Sequence, residues 1–237
     1  MSSGSLKTAA ARGWRATAIV LALALLALLV SAPAVLAKGG MGANVQVRLA
    51  DQVVTAGEQV TITVMVRPAE VGTKVTLYRM PAGGDWEVVG TKLVGEPSGK
   101  VTFVDSPTRH TWYRAKWTWL EGRSLWSNTA WQKVKALLTV QAKVAVYQQG
   151  MGTPVTIYGK LIPAWNGQTV RVSIARWESG CLVPVASFAV PLTPGPGDSS
   201  LYSVTWNAMM SGDYVVRAQV KRAPHFFGSW TSTGFSL

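Results

Sequence analysis

The sequence predicts an all-β protein, two tandem β-sandwiches behind an N-terminal signal peptide, and three observations carry that reading. Residues 59–134 return loosely in residues 154–237, apolar residues alternate with polar ones and show no helical period after residue 37, and the first 37 residues have a composition of their own. The duplication decides the architecture. Val60-Thr61-Ile62 returns as Val155-Thr156-Ile157, Pro68 as Pro163 and Val75 as Val170, each 95 residues later. Val101-Thr102-Phe103 aligns with Val204-Thr205-Trp206 and Tyr113-Arg114-Ala115 with Val216-Arg217-Ala218, each 103 residues later, which implies an eight-residue insertion. Such a repeat is far longer than a solenoid or propeller unit and matches a small domain, so it denotes two copies of one module.

At the N-terminus, Lys7, Arg12 and Arg15 lead into an apolar run from Ala16 to Val30, and Ala34-Val35-Leu36-Ala37 precedes Lys38. A basic region, an apolar core and small residues before a break are what the export machinery reads, with cleavage after Ala37. The stretch Ala16 to Ala37 also reaches 22 residues, long enough to serve as an uncleaved signal anchor. Contact with a membrane is expected only through that segment. Residues 38–43 read as a flexible leader, 44–135 as the first sandwich and 136–237 as the second. The predicted location is secreted or cell surface.

Within the first module, alternation and turn signals predict strands near 44–50, 58–67, 73–80, 86–92, 99–105, 111–119 and 127–135. The second predicts strands near 138–147, 154–162, 168–176, 182–190, 200–206, 213–221 and 228–236. Apolar side chains at every second position, with Thr, Lys and Arg between them, place one strand face in a core and the other in water. Seven short strands per module without a disulfide pair support an immunoglobulin-like sandwich. The stretch that holds the insertion, Pro191 to Ser199, is rich in Pro and Gly that cannot join a central ladder, and it is expected to protrude as a loop. Only Lys135, Ala136 and Leu137 separate the last strand of one module from the first of the next. That junction has no Gly, Ser or Pro to soften it and predicts a stiff connection.

The net charge is +12, or +9 without the first 37 residues. Residues 44–136 hold 12 basic and 8 acidic groups and residues 137–237 hold 7 and 3, an even spread rather than the stripe or helix of a nucleic-acid reader. No nucleic-acid partner is expected. The one cysteine, Cys181, follows Ser179-Gly180 in a turn and has no partner for an internal disulfide, so each module relies on its core.

The run Val75-Thr76-Leu77-Tyr78-Arg79, then Trp86, Gly99-Lys100-Val101-Thr102-Phe103, Pro107-Thr108-Arg109, Thr111-Trp112-Tyr113-Arg114-Ala115 and Ser127-Asn128, resembles the Ig-like repeats of exported bacterial surface proteins, especially those of actinobacteria. The resemblance covers residues 44–135 well and the second copy weakly, where Tyr78-Arg79 becomes Ser173-Ile174. It implies spacers, stalks or adhesive modules and carries no catalytic residue.

Chemistry is sparse. His110 and His225 are the only histidines, they lie in different modules, and neither has a metal-ligand spacing. No nucleophile elbow, phosphate loop or acidic calcium loop occurs. The sequence thus predicts no enzyme, no catalytic residue, no metal and no cofactor. Tryptophan is the enriched residue, with ten of the eleven following the leader. Alternation turns Trp117 into the core, places Trp86, on the apolar side of its strand, in the core too, and turns Trp112 and Trp131 outward. Trp119 and Trp126 flank the turn at Glu121-Gly122-Arg123, at one end of the sandwich. Trp112, Trp119, Trp126 and Trp131 are therefore the candidate ligand surface. The expected function is a non-enzymatic structural spacer or adhesive module whose partner is a cell-envelope glycan or another surface protein. The alternative is a carbohydrate-binding protein of the envelope that uses those exposed indoles.

Overall fold

The computed structural model describes residues 42–119, 122–147 and 152–237. The expected signal peptide or anchor and residues 38–41 of the expected leader lie outside the described residues. All the described elements are strands.

The first sandwich holds β1 (Asn44–Leu49), β2 (Val53–Thr55), β3 (Val60–Arg67), β4 (Lys74–Pro81), β5 (Glu87–Leu93), β6 (Lys100–Asp105), β7 (Thr111–Thr118), β8 (Ser124–Trp126) and β9 (Ala130–Lys135). One sheet has the order β1-β3-β6. The other runs β2-β9-β7-β4-β5, with β8 also on β7. Alternation makes the core: Val45, Val47, Ile62, Val64 and Val66 from one sheet meet Val75, Leu77, Ala115, Trp117 and Val134 from the other, all buried. Trp117 is fully buried and satisfies its indole N–H on Thr73 Oγ1 at 2.8 Å, as a buried Trp must. Sequence reasoning missed β2 and β8, which are three residues each and too short to show a period.

The second sandwich holds β10 (Leu137–Leu138), β11 (Gln141–Val144), β12 (Thr153–Ile162), β13 (Thr169–Glu178), β14 (Cys181–Pro191), β15 (Thr193–Pro194), β16 (Ser200–Ala208), β17 (Asp213–Val220) and β18 (Ser229–Ser236). Both β10 and β11 lie on β12, followed by β16 and β15, and the facing sheet has the order β14-β13-β17-β18. The hairpin between β13 and β14 turns on Ser179 and Gly180 with φ of 49° and 84°, the left-handed pair that a two-residue turn requires. Cys181 follows it and is exposed.

Strand register corrects the repeat alignment at one place. Ile62 pairs with Phe103 in the first sandwich, and Ile157, its counterpart, pairs with Val204 in the second. Phe103 therefore corresponds to Val204 rather than Trp206. A slip of two residues keeps every side chain on its original face, so an alternating pattern does not detect it. The neighbouring pair explains the split first strand. Val64 opposite Val101 becomes Gly159 opposite Tyr202. The Tyr202 hydroxyl donates to Thr139 O at 2.6 Å, in the break between β10 and β11, and a Cβ at position 159 would lie 2.0 Å from that same oxygen.

The insertion also departs from expectation, because it folds back instead of protruding. Leu192 is buried in the second core, and Thr193–Pro194 pairs with β16 at the sheet edge, where a proline costs no ladder bond. Asp198 then reaches the first sandwich, accepting from Thr108 Oγ1 at 2.9 Å and Arg109 Nη2 at 2.9 Å, while Ala164 N donates to it at 3.1 Å. At the junction, Phe227 N donates to Val134 O at 2.8 Å, Ala136 N to Phe227 O at 3.0 Å and His110 N to His225 O at 2.7 Å. Backbone bonds thus continue from one sandwich into the other.

Candidate binding face of the first sandwich

Strand β7 decides which side chains share a face. Tyr113, Ala115 and Trp117 point into the core, so Trp112, Arg114 and Lys116 point out. Register then gives each an outward neighbour: Trp131 on β9 opposite Trp112, Tyr78 on β4 opposite Arg114, and Trp126 on β8 opposite Lys116. The Ser127-Asn128 pair sets the last two strands. Ser127 Oγ accepts from Ala115 N at 2.8 Å, and Asn128 bonds Val47 with Oδ1 accepting from its N–H at 2.9 Å and Nδ2 donating to its carbonyl at 3.3 Å. These bonds interrupt the strand between β8 and β9 and tie it to β1 in the facing sheet.

The four predicted tryptophans fall into three places. Trp112 and Trp131 come together, with ring centroids 6.1 Å apart and planes only 11° from parallel. Trp131 is 42% exposed and has Lys133 Nζ 5.5 Å from its ring centroid. Trp126, also on this face, packs on Tyr78 at 5.1 Å. Trp119 does not join them. It lies one step past the end of β7 on the inward side and rests on Trp117 at 4.1 Å, closing the end of the core.

Trp86, Arg114 and Tyr78 were missed as members of this face. The Arg114 guanidinium lies 4.1 Å from the ring of Trp86 and 4.3 Å from that of Trp126, held between two indoles. Its Nε is buried without a hydrogen-bond partner, so the ring faces supply its favourable contacts. Trp86 is half-buried rather than core. It lies just before β5 begins, and β4 and β5 shift register between Leu77 and Tyr78, so strand parity does not reach it. One signal for this arrangement was present in the repeat. Arg217, the counterpart of Arg114, lies 4.5 Å from Trp230, and Trp230 pairs with Gln219 as Trp126 pairs with Lys116.

Two groups with shifted pKa, His110 and Asp198, lie where the sandwiches meet. His110 is nearly buried, and its Nδ1 accepts from Val134 N at 2.8 Å. Burial lowers its pKa, and Arg222, His225 and Lys133 lower it further by repulsion, which keeps the imidazole neutral. For Asp198, burial raises the pKa, but the bonds from Arg109, Thr108 and Ala164 outweigh it and hold the carboxyl below the usual range. Tyr113 is pushed far above the usual phenol range by burial and by Asp105 beside it, so it stays a donor. Among the described residues no group of three His, Cys, Asp or Glu is placed to hold a metal. What the β7 face offers is flat indole surface flanked by cations.

No family model matches the sequence, and no curated protein matches it. Among solved structures the chain is similar to the tetra-tandem repeat in the extending region of a large adhesion protein, at 15% identity over 83% of this chain and 49% of that one, with a TM-score of 0.41. The chain thus spans about half the length of that structure.

Proposed function

We propose that this chain is a non-enzymatic exported protein, secreted or held at the cell surface. In this reading it is a structural or adhesive module of two immunoglobulin-like domains of the kind found in exported bacterial surface proteins. It meets its partner through the outer face of β9, β7 and β8. The observation that carries the adhesive part is the stack of half-buried Trp112 on exposed Trp131 beside Lys133, continued by exposed Trp126 and by Arg114. Trp and Arg are the residues that most often carry binding energy at interfaces, and exposed apolar surface of this kind marks interaction sites. Pairing with another surface protein would cover both indoles and leave the cations at a polar rim.

The near-parallel planes of Trp112 and Trp131 favour a second reading, carbohydrate binding, because a sugar ring can lay its C–H face on a flat indole. Titration of the full chain with neutral envelope glycans, followed by tryptophan fluorescence, separates the two. A saturable shift that Trp112→Ala with Trp131→Ala abolishes supports glycan binding. A flat titration, combined with loss of retention on envelope protein in the same variant, supports the protein partner. If the double variant retains all binding, this face is not the adhesive surface.

A further inference from the structure

The other sheet of the first sandwich, β1-β3-β6, carries a different chemistry on its outer face. A cavity of about 430 Å³ opens there, lined chiefly by Gln46 and Arg48 of β1, Thr63, Met65 and Arg67 of β3, and Lys100 of β6. These are the alternate residues to Val45, Val47, Ile62, Val64, Val66 and Val101, which face the core, so strand parity alone turns them outward. Register orders them. Gln46, Met65 and Lys100 form one row across the three strands, Arg48 opposite Thr63 lies on one side of it, and Arg67 opposite Asn44 on the other. The attachment points of Arg48 and Arg67 are thus separated by four residue steps along the sheet, about 13 Å at the usual strand rise.

The cleft is cationic and uncompensated. None of its lining residues is acidic, and among the described residues none of Arg48, Arg67 and Lys100 forms an ion pair. The Arg48 head group instead donates from Nη2 to Gln46 Oε1 at 3.2 Å. Like charges on neighbouring strands repel one another. Three such charges around one concavity therefore disfavour the free fold locally and favour an occupant that neutralises them.

We propose that this cleft binds an acidic oligosaccharide. The volume falls in the range of small-molecule sites and exceeds what one inorganic anion fills. Cations at both ends match anionic groups spaced along a chain, and guanidinium groups bind carboxylate with two parallel hydrogen bonds. Between them, Gln46 and Thr63 offer the donors and acceptors that sugar hydroxyls need, and Met65 offers an apolar surface for a ring's C–H face. The site goes beyond the reading given above and uses none of its tryptophans, so either can fail without the other.

Titration calorimetry of the full chain tests it with four probes at one ionic strength: a uronic-acid tetrasaccharide, a neutral glucose tetrasaccharide, inorganic phosphate and a short oligothymidylate. The acidic tetrasaccharide is expected to bind, and Arg48→Gln with Arg67→Gln to weaken it at least about tenfold, as loss of two charge-assisted contacts requires. Lys143→Gln with Arg171→Gln removes the same net charge from the second sandwich and is expected to change affinity less than about twofold. Trp112→Ala with Trp131→Ala is expected to leave it unchanged. Equal weakening by the two charge variants would reduce the effect to net charge and overturn the site. So would equal binding of the neutral sugar, equally tight binding of the oligothymidylate, displacement by equimolar phosphate, or no binding of the acidic sugar. Lys100→Gln alone, a change at an exposed strand position, is expected to leave the melting temperature unchanged and to weaken the acidic tetrasaccharide, and unchanged affinity would overturn the site.

Discussion

Where the first sandwich has Arg79, Asp105 and Tyr113, the second has Ile174, Trp206 and Val216. Register fixes the equivalence: Arg79 pairs with Tyr113 as Ile174 pairs with Val216, and Val60 pairs with Asp105 as Val155 pairs with Trp206. In the first copy, Asp105 accepts from the Tyr113 hydroxyl and from Arg79 Nη1, both at 2.7 Å, and Arg79 Nε donates to Glu87 at 2.7 Å. In the second, Trp206 packs edge-on to Tyr214 at 5.4 Å, and Tyr214 stacks on Phe235 at 5.2 Å. The same strand framework therefore holds either a half-buried ionic network or an aromatic cluster. The network is not what makes the fold, in keeping with the finding that apolar replacement of such groups is often neutral. Its consequence is local. Asp105 also accepts from Ser106 N at 2.9 Å, and so shapes the start of the loop that carries Thr108, Arg109 and His110 to the second sandwich.

Exchanges at matched positions give the sharpest tests, and the largest effect is expected at Trp117. Its counterpart by register is Val220, so one copy fills with an indole what the other fills with a smaller side chain. Trp117→Ala empties a fully buried site and should cost about 4 kcal/mol in a denaturant melt. A loss below about 1 kcal/mol would mean that the first core does not depend on the indole. Gly159→Ala comes next. Its Cβ would lie 2.0 Å from Thr139 O and 2.6 Å from the Tyr202 hydroxyl, and the overpacking should cost about 3 kcal/mol. Adding Tyr202→Val should recover only part of that, because the backbone oxygen remains in the way. Full recovery would show that the tyrosine ring alone imposes the glycine.

Asp105→Ala leaves the buried Tyr113 hydroxyl without its acceptor. With Arg79 partly solvated the cost should be about 2 kcal/mol, below that of a fully buried pair. Transplanting the second copy's residues, Arg79→Ile, Asp105→Trp and Tyr113→Val together, should recover most of that loss. Failure of the triple variant to fold would show that the two copies differ by more than this exchange. Acidification should act at the junction and more weakly. The His110 imidazole stays neutral when folded and takes up a proton when unfolded below about pH 6.5, so stability is full above that pH and falls as the pH drops through it. The Asp198 pKa is lowered as well, which for a carboxyl favours the charged form, so it adds its own loss only below about pH 4. Melting at pH 7.5 and 5.5 should show a drop of a few degrees, on the order of 1 kcal/mol, absent in His110→Gln. The smallest effect belongs to Trp131→Ala, an exposed position where the change should stay within about 0.5 kcal/mol.

The all-β class, the two copies and the strands longer than three residues were legible in the sequence, because a period of two written in Val, Ile and Thr needs only local geometry to be read. So were the inward facing of Trp117 and the outward facing of Trp112 and Trp131, which follow from parity along one strand. Which strands neighbour one another was fixed only by long-range packing. That is why Arg114 came to lie between Trp86 and Trp126, residues 28 before and 12 after it, and why Trp119 became a cap on Trp117. The same packing also decided the inward fold of the insertion. Pro and Gly state that a segment leaves the ladder, whereas the place where Asp198 docks depends on Thr108 and Arg109, some 90 residues away. Pattern along a chain encodes which face a side chain takes. Contact between faces depends on register and packing, and these are set only when distant strands meet.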